Sequence, residues 1–242
     1  MDLYINIGSI KKRVNLDIAF DLSRPITPGE HSSLAFYAPP IEIKPIQSGS
    51  FIGSVDYGSP VNTNIISLNP HGNTTHTETV AHISNIDRNI NELSIPPFLS
   101  CYLHSAKLTS NDKDRFVDKN SLDGIELFGA QAIIIRSGIG AGPFSGTNPI
   151  YLTPELTAFV KELNIKHLLT DLPSVDKEED GGALVAHKAF WDFPQSVRSD
   201  ATITELLSFP DELSDGWYAL NLQVMNLSNN ASPSRPILYP LI

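Results

Sequence analysis

A single cysteine, Cys101, in 242 residues leaves nothing to pair within the chain. The fold therefore cannot rest on an internal disulfide framework, and a thiolate-rich zinc site is excluded with it. The neighbours of Cys101 are mostly apolar, which predicts a buried structural thiol rather than a nucleophile. Cations are scarce as well: 17 Lys and Arg stand against 27 Asp and Glu, for a formal net charge of −10. Phosphate backbones are held by clustered Lys and Arg, so no nucleic-acid partner is expected. The one basic run, Lys11-Lys12-Arg13, is short and reads as a solvated edge. No apolar run approaches the roughly 18 residues of a membrane helix. No charged-then-apolar leader opens the chain, so no membrane partner and a cytoplasmic location are expected. A Gly-x-Ser-x-Gly elbow is missing, which argues against serine-hydrolase chemistry.

What remains is ordinary globular composition, 41% hydrophobic and 18% charged, without repeats or long linkers. It suits a single α/β domain over residues 1–242. Residues 13–22 alternate apolar and polar and read as a half-buried strand. The Pro-rich residues 25–45 read as an extended loop, and 62–68 as a second strand. Residues 129–136, with Ala132, Ile133, Ile134 and Ile135 in succession, fit a central strand buried on both faces. The clearest helix signal follows. Thr153 can cap, Pro154 takes the first helical position, and Leu156, Phe159, Val160 and Leu163 form one apolar stripe. Asn164 suits the exit, and residues 165–170 read as the next strand, completing a β-α-β crossover. Glu178-Glu179-Asp180 reads as a solvated charge run opening a mobile loop. Asn73-Thr74-Thr75 fits a glycosylation pattern but reads as a turn.

Chemistry concentrates between Pro70 and His82, where three of the seven histidines and Glu78 fall within twelve residues. Imidazole and carboxylate are the ligands that suit zinc, manganese or iron where no thiol is at hand. His76, Glu78 and His82 stand at even spacing, so an extended segment would present all three on one face. Such a face is costly to bury without a partner, and a divalent cation is a natural one. The alternative is a hydrophilic surface loop. His31, His104 and His167 lie apart from this segment and read as structural or exposed.

His76-x-Glu78-x-x-x-His82, with Thr75 and His71 before it, resembles the signature of the cyclase family of metal-dependent hydrolases, which includes kynurenine formamidases and isatin hydrolases. The usual pattern is His-x-Gly-Thr-His-x-Asp-x-Pro-x-His. This chain departs from it in three ways: His71 lies five residues before His76 instead of four, Glu78 replaces aspartate, and Val80 replaces proline. Further blocks follow in family order. Asp21-Leu22-Ser23-Arg24-Pro25-Ile26 resembles the opening strand and turn, and residues 132–138 the central strand. Tyr151-Leu152-Thr153-Pro154-Glu155 resembles the helix start, and Asp171-Leu172-Pro173-Ser174-Val175-Asp176 the Asp-x-Pro-Ser-x-Asp segment. Glu205-Leu206-Leu207 stands where the family has Glu-Asn-Leu, and Ala231-Ser232-Pro233-Ser234-Arg235-Pro236 resembles its closing block.

The resemblance implies a layered β/β/α core of swivelling-domain type and a metal pocket fed by distant segments. By position it makes His71, His76, Glu78, His187 and Glu205 metal ligands, for one or two Zn2+ or Mn2+ ions, and His82 the general acid/base. It implies hydrolysis of a C–N bond in a small amide or formamide, as in a kynurenine formamidase, by water activated on the cation. A cyclic amide such as an isatin-type lactam is the alternative substrate, and a non-catalytic metal or small-molecule binding protein the alternative role. The same resemblance implies a homodimer or homotetramer, for which residues 25–45 could supply an exchangeable arm.

Overall fold

The computed structural model describes residues 2–242. Eight strands share its main sheet: β1 (Phe20–Asp21), β2 (His76–Glu78), β3 (Leu99–Ser105), β4 (Ala132–Arg136), β5 (His167–Thr170), β6 (Thr202–Glu205), β7 (Gly216–Val224) and β8 (Ala231–Pro240). Their order is β7-β3-β4-β5-β6-β2-β8-β1, and β7 also pairs with β8. Seven strands thus close into a barrel-like ring, with β1 attached to the outside edge of β8. Strands β3 to β6 run parallel, and β2, β7 and β8 are antiparallel to their neighbours. Among the described residues three α-helices join them: α1 (Pro70–Asn73), α2 (Pro154–Glu162) and α3 (Val185–Trp191).

Strand periodicity divides the core in two. Ala132 and Ile134 of β4 meet Leu99, Cys101, Leu103, Leu220 and Leu238 inside the ring. Ile133 and Ile135 point the other way, into a cluster with Leu156 and Val160 of α2 and Phe190 and Trp191 of α3. The two sides of the ring that enclose the interior cluster supply two β layers and α2 with α3 a third, which is the layering expected. Cys101 is fully buried, and burial pushes its thiol far up from the ordinary range.

The crossover β4-α2-β5 forms as the sequence indicates. Thr153 accepts from the Leu156 N–H at 3.4 Å, Pro154 opens α2, and Asn164 leaves it in the left-handed region (φ 58°). Leu163 ends the helix and is exposed rather than part of the stripe. Residues 13–22 depart from expectation. Lys11-Lys12-Arg13 lies in an exposed hairpin (Tyr4–Ile7 with Ile10–Arg13), Val14 makes one bridge to Leu241, and only Phe20–Asp21 returns to the sheet. Between them the Asn15 side chain accepts the Asp17 N–H at 3.1 Å, a turn that competes with strand pairing and leaves Leu16 and Ile18 exposed. Residues 178–180 are also tied down. Glu178 accepts from the N–H groups of Gly146 and Asn148, and Asp180 accepts from Gly182 and Leu184 ahead of α3. Among the described residues no helix is long and apolar enough to cross a membrane.

His167 opens β5 with its ring buried and Nδ1 2.9 Å from Thr202 Oγ1. Burial, reinforced by the neighbouring Lys166, depresses its pKa to about 4. The unfolded chain therefore binds a proton below pH ~6.5 that the folded chain refuses until pH ~4, so stability falls as pH drops through that window. Urea unfolding at pH 7 and pH 5 should show wild-type protein losing about 2 kcal/mol more than His167→Asn. Equal losses would place the acid sensitivity elsewhere.

Candidate metal centre

Strand β2 is the spine of the site. His76 and Glu78 sit two residues apart and share a face, while Thr77 points to the ring interior and shares a 2.8 Å hydrogen bond with Thr204. Register sets the next group: β6 places Glu205 opposite His76 and Ile203 opposite Glu78. Because Ile203 belongs to the core beneath the helices, this is the face that α3 covers. Helix α3 brings His187 onto Glu78, with Nε2 3.1 Å from Oε1. His71 arrives on α1, whose start is capped by Asn69 and opened by Pro70. An added Cβ at Gly72 would fall 2.3 Å from the Ala38 Cβ, so only glycine lets residues 34–38 close over this turn.

The structure brings together all six residues singled out from the sequence. Glu78 is central. Its Oε2 lies 3.1 Å from His71 Nδ1, 3.8 Å from His82 Nε2 and 4.0 Å from His76 Nε2. Glu205 Oε2 lies 3.4 Å from His76 Nε2, and Oε1 lies 3.8 Å from His187 Nε2. Glu205 Oε1 also accepts the Val175 N–H at 2.8 Å. The rings of His71 and His82 stack at 4.2 Å between centroids. Two overlapping groups of donor atoms result, His71-His76-Glu78 and Glu78-His82-His187, each compact enough to hold a metal ion.

His82 reaches the cluster differently from expectation. The strand stops at Glu78, and Thr79 caps a short 3-10 turn, Val80–His82, that swings the ring back. His71 needs no four-residue spacing, because one helical turn takes up the extra residue. Asn73, Thr74 and Thr75 are buried, and the Asn73 amide donates to Ser32 and Pro39 carbonyls, so this triplet is an internal anchor. His31 is exposed, and His104 lies away from the site, bonded to Ser121 and near Asp215.

The donor set fits a cation. His76 Nδ1 lies 3.0 Å from the Thr74 carbonyl oxygen, which can only accept, so the ring proton sits there and Nε2 offers a lone pair. That Nε2 and Glu78 Oε2 are fully buried, with no aligned hydrogen bond to satisfy them. His187 Nδ1 donates to Asp176 Oδ2 at 2.5 Å, turning its Nε2 toward the two glutamates. Asp176 is fixed in turn by the Ala186 and His187 N–H groups. This carboxylate–imidazole pairing orients a ligating histidine. Sequence reading left Asp176 out of the site, although it lay inside a quoted motif.

The electrostatics agree. Burial alone would keep Glu78 protonated, yet His82, His187 and His71 around it hold its carboxyl well below the usual range. Burial opposes charge on His187, but Asp176 and Glu78 together raise its pKa to about 10. Burial likewise opposes charge on His71, and Glu78 outweighs it. At His82 burial wins and the pKa falls. The carboxylates draw positive charge into the pocket.

The sequence profile of the cyclase family matches residues 20–177, about two-thirds of the chain. This protein belongs to the cyclase family. Among proteins of curated function, none matches its sequence significantly. The chain is similar in structure to a predicted metal-dependent hydrolase from Bacillus stearothermophilus, with TM-score 0.64 at 14% identity over 92% of this chain and 98% of the other. It is similar to isatin hydrolase A from Labrenzia aggregata, TM-score 0.64 at 15% identity, covering 92% and 93% of the two chains. Isatin hydrolase A from Ralstonia solanacearum gives TM-score 0.63 at 12% identity, covering 92% and 91%. At these identities the likeness establishes the fold, and the donor groups of His71, His76, Glu78, His82 and His187 make a possible His/Glu metal site within it.

Asp176→Asn should weaken divalent-cation binding about 10- to 100-fold in calorimetric titration, because the His187 ring loses the charged acceptor that orients it. An affinity unchanged from wild type would separate Asp176 from the candidate metal site of this cyclase-family protein.

Proposed function

We propose that this cyclase-family protein is a metal-dependent hydrolase that cleaves the C–N bond of a small amide or formamide, in the manner of an arylformamidase. The buried His76 Nε2, which has no hydrogen-bond partner, and Glu78 Oε2, which faces histidines without an aligned hydrogen bond, carry the reading, because a cation would satisfy both. His71, His76, Glu78, His187 and Glu205 would hold it, as one or two ions of zinc or manganese. Bound there, a divalent cation supplies Lewis-acid polarisation of a carbonyl and brings the pKa of water towards ~7.

The protein's own groups do the rest. Glu78 supplies negative charge to both halves of the site. His82 is the most solvent-facing member, its side chain 30% exposed where Glu78 shows nothing to solvent. Its Nε2 would take a proton from attacking water and return it to the leaving nitrogen. The stacked His71 ring holds that imidazole in orientation. A cyclic amide would be opened by the same steps, and isatin hydrolases on the same fold make lactams the second substrate class to try.

Elemental analysis should find a divalent metal in purified protein, and a panel of formamides, amides and lactams should find turnover. Metal without turnover would favour a binding protein, and no binding tighter than micromolar would end the reading. His82→Ala should keep its metal and lower kcat by ~10²–10⁴-fold. His187→Ala should lose metal instead. If His82→Ala loses metal as badly, His82 is a ligand and the role assigned to it fails.

A second copy of the chain is proposed as partner, as a homodimer or homotetramer. The supporting observation is an arm over residues 42–67, which shares only Glu42–Pro45 with the expected 25–45 segment and is built from Glu42–Pro45 with Asn64–Ser67 and from Gln47–Ser48 with Phe51–Ile52. It leaves Phe51, Val55, Tyr57, Val61, Ile65 and Ile66 exposed. Two-stranded hairpins are marginal alone, and an apolar one is stabilised by cover. Light scattering at ~10 μM should show no monomer for wild type and dissociation for Ile65→Lys/Ile66→Lys. A monomeric wild type would remove the proposal.

A further inference from the structure

The chain leaves β6 through a strained residue. Leu206, next to Glu205, has φ 59°, the left-handed region that a branched, bulky side chain rarely occupies. The family pattern noted above has asparagine at this place, a residue that tolerates that conformation, so leucine needs outside support here. Support comes from residues distant in sequence. The Leu206 carbonyl accepts from Thr75 Oγ1 at 2.6 Å and from Arg24 Nε at 3.0 Å, and its N–H donates to Leu172. The Arg24 guanidinium also donates to the carbonyls of Leu207, Gly140 and Ala141, each at 3.1 Å. The Arg24 N–H closes the circuit by donating to Thr75 Oγ1 at 2.9 Å.

Each end of this circuit is one residue from a candidate ligand: Thr75 precedes His76, and Leu206 follows Glu205. Four carbonyls converge on one guanidinium, and none of its hydrogen bonds goes to a carboxylate. A planar fork with several fixed donors suits such a task, where an ammonium would not. Strain of this kind persists where surrounding contacts over-determine it, and it gathers at functional sites. We propose that Arg24 is a positioning residue for the metal centre, pinning the left-handed turn at Leu206 and thereby setting the direction of Glu205 against His76. The inference rests on the metal reading above, and its test distinguishes the two.

Cobalt(II) serves as probe, since its visible spectrum reports coordination and its titration reports affinity. Arg24→Gln should bind cobalt about 10- to 100-fold more weakly, with a spectrum displaced toward that of Glu205→Gln. Arg24→Lys should not restore it. Arg136→Gln is the control, because Arg136 pins the Leu213 carbonyl and Asp215 away from the cluster. It should lower urea stability while leaving the cobalt spectrum and affinity as in wild type. If folded Arg24→Gln binds cobalt with wild-type affinity and spectrum, the inference is overturned. It is overturned equally if Arg136→Gln shifts the spectrum as far, since the effect is then general loosening. Should wild type bind no cobalt, the metal reading falls, and crystal structures decide the clamp. Glu205 and the Leu206 turn unmoved in Arg24→Gln would refute it.

Discussion

A carboxylate with no exposure to solvent, Glu78, lies between four imidazoles on the helix-covered face of the sheet. Isolated in an apolar interior, an ionised carboxylate is strongly unfavourable and would take up a proton instead. Here the histidines hold it ionised, and they converge from four elements, three of them contiguous within residues 70–82 and the fourth the distant helix α3. β2 carries His76 and Glu78, the turn after it returns His82, and α1 before it delivers His71. His187 comes from a helix more than a hundred residues further along, and Glu205 from the neighbouring strand.

The side chains are steered by their backs. The Thr74 carbonyl fixes one nitrogen of His76, Asp176 fixes one nitrogen of His187, and the Val175 N–H holds one oxygen of Glu205. At the two histidines the contact occupies the nitrogen facing away from the cluster and so decides what the facing nitrogen can do, and at Glu205 it anchors Oε1 while Oε2 turns to His76. Arg24 and Thr75 extend the arrangement to the backbone, where the left-handed Leu206 turn would otherwise be free to relax. Breaking one such contact leaves every candidate ligand present and displaces where it points.

The sequence made local features legible and long-range ones legible only through motif. The start of α2 could be read from Thr153 and Pro154, and β4 from its isoleucines, because capping chemistry and strand burial act over a few residues. The alternation across residues 13–22 misled, since an Asn15 side chain competing for a backbone N–H leaves no mark on hydrophobic period. His82 was rightly grouped with Glu78 but by the wrong geometry, a turn standing in for a strand. His187 and Glu205 emerged only from resemblance, because nothing local says that α3 will cover β2. Asp176 and Arg24 were within quoted motifs and still escaped notice, since their work is to hold other groups. Glu178 and Asp180 looked like a solvated charge run because their backbone partners are invisible to composition.

Two departures from the usual signature belong together. Glutamate at position 78 reaches one methylene further than aspartate, and the extra residue between His71 and His76 shifts where the first imidazole can stand. An extended segment advances about 3.3 Å per residue, a helical one about 1.5 Å. Folding Pro70–Asn73 into a single turn therefore shortens the path and offsets the insertion, and the cap from Asn69 makes that turn local. The Glu78 carboxylate meets the ring so delivered, Oε2 against Nδ1 at 3.1 Å. The His71 ring in this contact is also the one that stacks on His82, so the local turn at Pro70–Asn73 sets both neighbours of that imidazole.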